Sequence, residues 1–507
     1  MKNITNVLEY LEHSAQRFPD KPAYIDAKGS YTFSQLEQTA RSVGSALCKN
    51  VEKGCPVAVY MEKSVQQIAA FLGVAYAGAF YSPIDVDMPA QRVQMILDTL
   101  CATIIIADRD SVQRLNEINF EGKVFIFDEI EHTVIDENQL AEIRRSVIDS
   151  EPLYAIFTSG STGVPKGVVI SQRSTVNLTE WFCEAFQFSE EEIFGNQTPF
   201  YFDASIKEIY ATLKSGATMH IIPKRLFTFP AKLIEYINER KVNCVMWVPS
   251  VLCFIVNFNT FKKVKPAYLR KIIFSGEMMP TKQFNLWRKE FPDICYGNLY
   301  GPTEATVDST YYIVKRELQD DEPIPIGYAC ENTDILILNE NNELVKEGET
   351  GEICVRGVSL ALGYYNNPEK TDAVFVQNPL QKHYRELIYR TGDLGRYNEY
   401  GEIIYMARKD FQIKHMGHRI ELGEIETAIG AVEGIRRVCC LYDTQRGKIV
   451  CVYEGDIKDV DIINAIKQAV PKYMIPNIYH SVEEMPINMN GKIDRPRIAK
   501  EFVNDSN

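Results

Sequence analysis

The chain lacks several features that would each point to a class of function. None of its twelve cysteines forms a C-x-x-C pair, the spacing that a structural zinc site or a redox dithiol normally uses. Most sit among apolar neighbours, as Cys244, Cys253 and Cys354 do, where a reduced cysteine packs as a small hydrophobe. No stretch approaches the roughly 18 consecutive apolar residues of a transmembrane helix. Acidic residues, among them Glu9 and Glu12, interrupt the N-terminal stretch where an export signal needs its apolar run. Basic charge is in deficit: 55 Lys and Arg face 68 Asp and Glu, a formal net charge of −13. That excludes non-specific binding to nucleic acid through a basic surface. Repeats and low-complexity tracts are missing too. These absences predict a cytoplasmic protein that is not integral to a membrane.

The 507 residues, 45% hydrophobic and 24% charged, have ordinary globular composition and enough length for two or more domains. β-branched runs at 56–61, 103–108, 123–128, 218–223, 244–248 and 271–276 alternate with helical patterns at 33–48, 64–77, 90–99, 231–240 and 281–290. Such alternation predicts parallel sheets covered by helices, an α/β arrangement. From about 324 the strands become short and glycine-punctuated, as an antiparallel or barrel-like portion requires. A fresh α+β pattern begins after about 409. The expected domains are therefore 1–408, large, and 409–507, a small lid.

The strongest local signal runs from Phe157 to Gly167. Thr158, Ser159, Ser161 and Thr162 supply hydroxyls, Gly160 and Gly163 open the backbone, and Lys166 adds charge. Glycines let backbone N–H groups approach an anion closely, so the string reads as a polyphosphate cradle. It is not a P-loop, because Pro165 precedes Lys166 and Gly167 follows it, breaking the G-x-x-x-x-G-K-S/T spacing. Almost letter for letter, the string resembles the signature loop of the adenylate-forming superfamily, which includes acyl-CoA synthetases, luciferases and nonribosomal-peptide adenylation domains.

Further segments resemble that superfamily in order, and the resemblance spans essentially the whole chain. Tyr300-Gly301-Pro302-Thr303-Glu304 is similar to the segment in which the aromatic stacks on adenine, the Thr contacts the α-phosphate and the Glu holds Mg²⁺. Asp393, after Arg390-Thr391-Gly392, resembles the aspartate that accepts the ribose hydroxyls. Arg408 and Asp410 resemble the ribose-side arginine and the hinge pivot, although Ala407 stands where the family usually has Gly. Gly417 opens a run similar to the loop that enters the site in the thioester-forming conformation. Lys492, in Asn490-Gly491-Lys492, resembles the adenylation lysine. The resemblance implies ATP and Mg²⁺ as cofactors. It also implies a reaction needing positioning and charge neutralisation rather than a side-chain nucleophile: Lys492 bridges carboxylate and α-phosphate, and Lys166 with the loop hydroxyls binds the β,γ-phosphates.

Asp203, within Phe202-Asp203-Ala204-Ser205, bears on the substrate. Amino-acid-activating members resemble this chain here, their aspartate holding the substrate's α-ammonium; the other reading is that Asp203 caps the following helix. The corresponding side-chain pocket comprises Asp203, Ala204, Lys207, Trp247, Ile273, Ser275, Leu299, Val307, Asp308 and Lys492. Lys207 with Asp308 resembles pockets for acidic or amide side chains, Trp247 has no place in that comparison, and Lys207 can face Asp203, Asp308 or the substrate. Ser275 and the F-D-A-S string depart from D-alanine–carrier-protein ligases, which otherwise share the expected stand-alone, monomeric architecture. The implied partner is a carrier protein bearing phosphopantetheine, with the basic residues Lys262, Lys263, Lys265, Arg270 and Lys271 as one surface for it. The alternatives are an acyl- or aryl-CoA ligase and a non-catalytic nucleotide-binding module.

Overall fold

The computed structural model describes residues 4–160, 164–409, 412–487 and 493–504. Two large sheets dominate. One has nine strands in the order Tyr328–Ala329, Thr310–Ile313, Cys295–Tyr300, Lys271–Phe274, Cys244–Trp247, Ile193–Asn196, Thr218–Ile221, Pro22–Ile25 and Ser30–Thr32. Its six central strands are parallel and its edge pairs antiparallel. The other has seven: Gly363–Tyr364, Lys166–Ser171, Pro152–Thr158, Phe80–Pro83, Pro56–Tyr60, Ile104–Ala107 and Lys123–Ile126.

One apolar core draws side chains from both sheets, among them Met219, Met246, Val57 and Ile156. Helices Leu8–Arg17, Phe33–Leu47, Val65–Tyr76, Gln172–Ala185 and Ala204–Ser215 contribute to the same core, so they form a layer between the sheets. Val65–Tyr76 is buried along nearly its whole length, which explains why its sequence is apolar all round rather than on one stripe. Separate clusters cover the outer faces: helices Pro230–Glu239, Pro249–Asn257 and Thr281–Glu290 pack on the nine-stranded sheet, and Ala90–Leu100 on the seven-stranded one. Parallel strands covered on both faces are the architecture that the alternating pattern predicts.

The change of texture after 324 corresponds to a five-stranded antiparallel sheet built from Thr333–Leu338, Gly351–Gly357, Phe375–Gln377, Leu387–Tyr397 and Ile403–Arg408. Beyond it, the hairpin Gln412–His415/His418–Glu421 precedes a three-stranded sheet of Ile435–Asp443, Lys448–Gly455 and Ile478–Val482. The two apolar clusters of this last part contain only residues from 413 onward.

No helix among the described residues is long and apolar enough to cross a membrane.

Candidate active site

The phosphate-type loop joins two antiparallel strands, with Thr158 opposite Lys166 in register. A strand–loop–strand setting differs from the strand–loop–helix of a P-loop, as the altered spacing required. At Gly160 an added Cβ would collide with the Val164 carbonyl, so this position admits only glycine. Thr158 Oγ1 is buried with no partner among the described residues and borders a cavity that Ser159, Asp203, Gly301, Thr303, Asp393, Arg408 and Gly417 also line. An orphaned hydroxyl beside a cavity fits a phosphate oxygen as its missing acceptor. Ser161, Thr162, Gly163, Asp410 and Lys492 lie outside the described residues.

The Tyr300–Glu304 segment follows a central strand of the nine-stranded sheet and turns sharply. Gly301 is required there, since a Cβ would stand 2.5 Å from the Val307 carbonyl oxygen. Thr306 and Val307 both have positive φ, 52° and 71°, strained values for β-branched residues. The turn closes by the Ser309 amide donating to the Tyr300 carbonyl at 2.7 Å and is pinned by Thr306 Oγ1 on the Ser359 carbonyl.

Glu304 is fully buried. Burial alone would raise its pKa, but the Arg419 guanidinium, then Lys166 and the Tyr364 hydroxyl, hold it down to about 2. It therefore stays ionised, the state that a hard divalent cation requires of an oxygen ligand. Lys166 lies 4.9 Å above the Tyr364 ring, and burial lowers its pKa, opposed by Glu304. Asp393 accepts from the Tyr300 hydroxyl at 2.6 Å and from Arg408 at 2.8 Å, so three predicted nucleotide-side residues converge.

The hairpin carrying Gly417 reaches into this site. Its turn residues Met416 and Gly417 have φ of 53° and 80°, as two-residue hairpins require. The Gly417 amide donates to Glu277 at 2.9 Å. His418 packs edge-on against Phe202 and stacks at 3.4 Å on Tyr473. Arg92 and Glu424 form a buried ion pair between helices Ala90–Leu100 and Leu422–Gly430. Lys414, which lines the cavity, stands 5.3 Å from the Tyr300 ring; burial lowers its pKa, opposed by Asp393. Neither Lys414 nor Arg419 was singled out by the sequence reading, although Arg419 lies in the run that Gly417 opens and Lys414 just before it.

Asp203 lines the cavity and does not cap helix Ala204–Ser215: its own backbone is helical and no side-chain cap bond forms. Burial raises its pKa, and the Thr303 hydroxyl bonded to it opposes the shift. One helical turn on, Lys207 donates to Asp308 at 2.8 Å and to Ser275 at 3.0 Å. Ile273, Leu299 and Val307 share the core cluster of Met246, with Ala204 packed against it.

Trp247 is not brought to this group. It lies in the cluster on the opposite sheet face, its indole N–H donating to the Gly195 carbonyl at 2.8 Å. Strand alternation explains the correction: Met246 is in register with Ile273, and Trp247 with Phe274, so a one-residue offset exchanges faces. Within the basic run, Lys265 pairs with Glu290 and Lys271 with Glu192, which neutralises two of its five charges.

Residues 11–365 match the family model of AMP-binding enzymes. Tyrocidine synthase 1 of Brevibacillus parabrevis is 32% identical over 98% of the chain, which spans only 45% of that protein. Zwittermicin A synthase ZmaJ of Bacillus cereus is 31% identical, with 98% of this chain and 95% of that one covered. D-alanine–D-alanyl carrier protein ligase of Listeria monocytogenes is 32% identical, with 98% and 99% covered. The solved structure of holo-PA1221, described as an NRPS protein containing adenylation and PCP domains, superposes with a TM-score of 0.83 at 24% identity, covering 98% of this chain and 84% of that one. By the family match and by relatives alike over nearly their full length, the chain belongs to the AMP-binding enzymes and is an adenylate-forming ligase.

Proposed function

We propose that the chain activates an amino acid with ATP and transfers it to the phosphopantetheine thiol of a carrier protein, in the cytoplasm. In the first step a substrate carboxylate oxygen bonds to the α-phosphorus as the α,β-phosphoanhydride breaks, releasing pyrophosphate. In the second the thiol sulfur, giving up its proton, bonds to the acyl carbon as AMP leaves. Thr158, Ser159 and Lys166 bind phosphate oxygens, Asp393 with Arg408 orients the ribose, and Tyr300 packs on the base. Glu304 is the residue to hold Mg²⁺, which supplies charge neutralisation on the phosphates when bound. Lys492 serves the first step and the Gly417 hairpin the second, with residues 1–408 and 409–507 as separate domains pivoting at Asp410.

Asp203 carries the choice of an amino acid. A desolvated carboxylate on the cavity wall, not used as a helix cap, gains most from a cationic ligand, and an α-ammonium is the cation such a substrate brings. The names of the D-alanine ligase and the peptide synthases support the same reading and a carrier as acceptor. The Lys207–Asp308 pair, with Ser275, gives the side-chain end of the pocket polar character.

The test is ATP–pyrophosphate exchange with the twenty L-amino acids, D-alanine and the matching des-amino acids. Exchange confined to amino acids supports the reading, and exchange driven by simple carboxylates alone replaces it with an acyl-CoA ligase. Lys492→Ala should abolish exchange while thioester formation from a supplied aminoacyl-adenylate persists; equal loss of both half-reactions would refute the division of labour.

A further inference from the structure

Two groups assigned above to the magnesium and phosphate half of the site are already engaged, both by one short strand. Glu304 Oε1 accepts from the Tyr364 hydroxyl at 2.7 Å and Oε2 from Arg419 at 2.6 Å. Ser159 donates its hydroxyl to the Arg419 carbonyl at 2.8 Å and accepts from the Glu421 amide at 3.2 Å. Arg419 and Glu421 lie on the strand His418–Glu421, and Gln412 on the facing strand bonds both side chains.

The two occupancies oppose each other on chemical grounds. Mg²⁺ holds a carboxylate oxygen at about 2.0–2.1 Å and keeps near-octahedral geometry. The same oxygen serves it less well while a guanidinium sits within hydrogen-bond distance, because the two cations repel each other across one buried anion. The Ser159 hydroxyl, likewise, has one proton to donate. We propose that Arg419 is a positioning residue that seats the hairpin by taking over Glu304 from the divalent cation, so that cation and hairpin hold the site by turns. The inference rests on the reading of Glu304 as the metal-binding carboxylate.

Linkage makes the relation reciprocal: what Arg419 denies the metal, the metal must deny the hairpin. Mn²⁺ binding to the full chain, without nucleotide, is followed by electron paramagnetic resonance. Arg419→Gln should bind Mn²⁺ about tenfold or more tightly than the parent, within the usual range of coupling between sites, and Arg419→Lys should fall between. Hydrogen–deuterium exchange at 412–421 should speed up on Mn²⁺ saturation of the parent and stay unchanged in Glu304→Gln. Equal Mn²⁺ affinity in parent and Arg419→Gln, or hairpin protection indifferent to Mn²⁺, would overturn the proposal. Pyrophosphate exchange assayed in parallel on the parent separates the two levels. Active exchange with equal Mn²⁺ affinities removes the role of Arg419 and leaves the activation chemistry standing. Absence of exchange with every acid, together with no Mn²⁺ binding to either the parent or Arg419→Gln, removes both.

Discussion

Lys207 Nζ lies 2.8 Å from Asp308 Oδ2, and both side chains are only 2% exposed. The pair ties helix Ala204–Ser215 to the turn that follows strand Cys295–Tyr300. Removing one member of such a pair strands the other without water, a loss of about 3–5 kcal/mol. Lys207→Met is therefore expected to lower unfolding free energy by about that amount in urea titration and to depress pyrophosphate exchange for all amino acids alike. Lys207→Met with Asp308→Leu should recover most of the stability. A single variant that kept full stability and shifted its exchange profile from polar to apolar substrates would mean that Lys207 addresses the substrate instead.

Asp203→Asn should cost amino acids more than their des-amino analogues, because only the former present an ammonium. The ratio of the two kcat/KM values measures the effect directly, and a fall of about tenfold or more is expected for a buried charge contact. A ratio unchanged by the substitution would remove Asp203 from substrate recognition. Since burial raises the Asp203 pKa, amino-acid binding should strengthen as pH rises through a value above the ordinary carboxylate range.

Glu304 should leave a mark on acid stability. Its pKa is depressed from the ordinary 4.5 to about 2, so its contribution is fully present above 4.5 and is lost as pH falls through about 2. The linkage amounts to on the order of 3 kcal/mol. Urea midpoints measured across that interval should fall more steeply in the parent than in Glu304→Gln; parallel curves would place the carboxylate's charge balance elsewhere.

Arg92 and Glu424 join helices 332 residues apart in sequence, and both are nearly inaccessible. The contact exists with the hairpin seated, the arrangement read above as the thioester-forming one. Arg92→Met is expected to slow thioester formation from supplied aminoacyl-adenylate about tenfold, the scale of a lost charge contact, while pyrophosphate exchange changes little. Equal slowing of the two half-reactions would assign the pair to general stability.

Much of this was legible in the sequence, for reasons that differ by residue. Strands such as Cys244–Trp247 announced themselves as short apolar runs, and helices such as Thr281–Glu290 by their periodicity, signals that need no partner to be read. The glycine and hydroxyl loop at 158–166 was legible because its chemistry resides in residue type. Trp247 was misplaced because a continuously apolar, doubly covered strand has no alternation to mark its faces; only registration against Ile273 and Phe274 decides which side points to the pocket. Arg419 was hidden differently. It lies in the run that Gly417 opens, but its partner Glu304 is 115 residues away, and no local pattern encodes a pairing that depends on how two folded parts meet.

The strained turn at Thr306–Val307 bears on any attempt to re-engineer the enzyme. Asp308 reaches Lys207 because the main chain is bent for it, not because an aspartate was placed on a ready-made wall. Exchanging individual lining residues with those of a relative would import their identities without the bend that aims them, and the recipient pocket would keep its own preference or lose activity. The transferable unit is the whole block 300–309, whose ends are already tied by the Ser309 amide and the Tyr300 carbonyl. Grafted as one piece, it would carry its geometry with it.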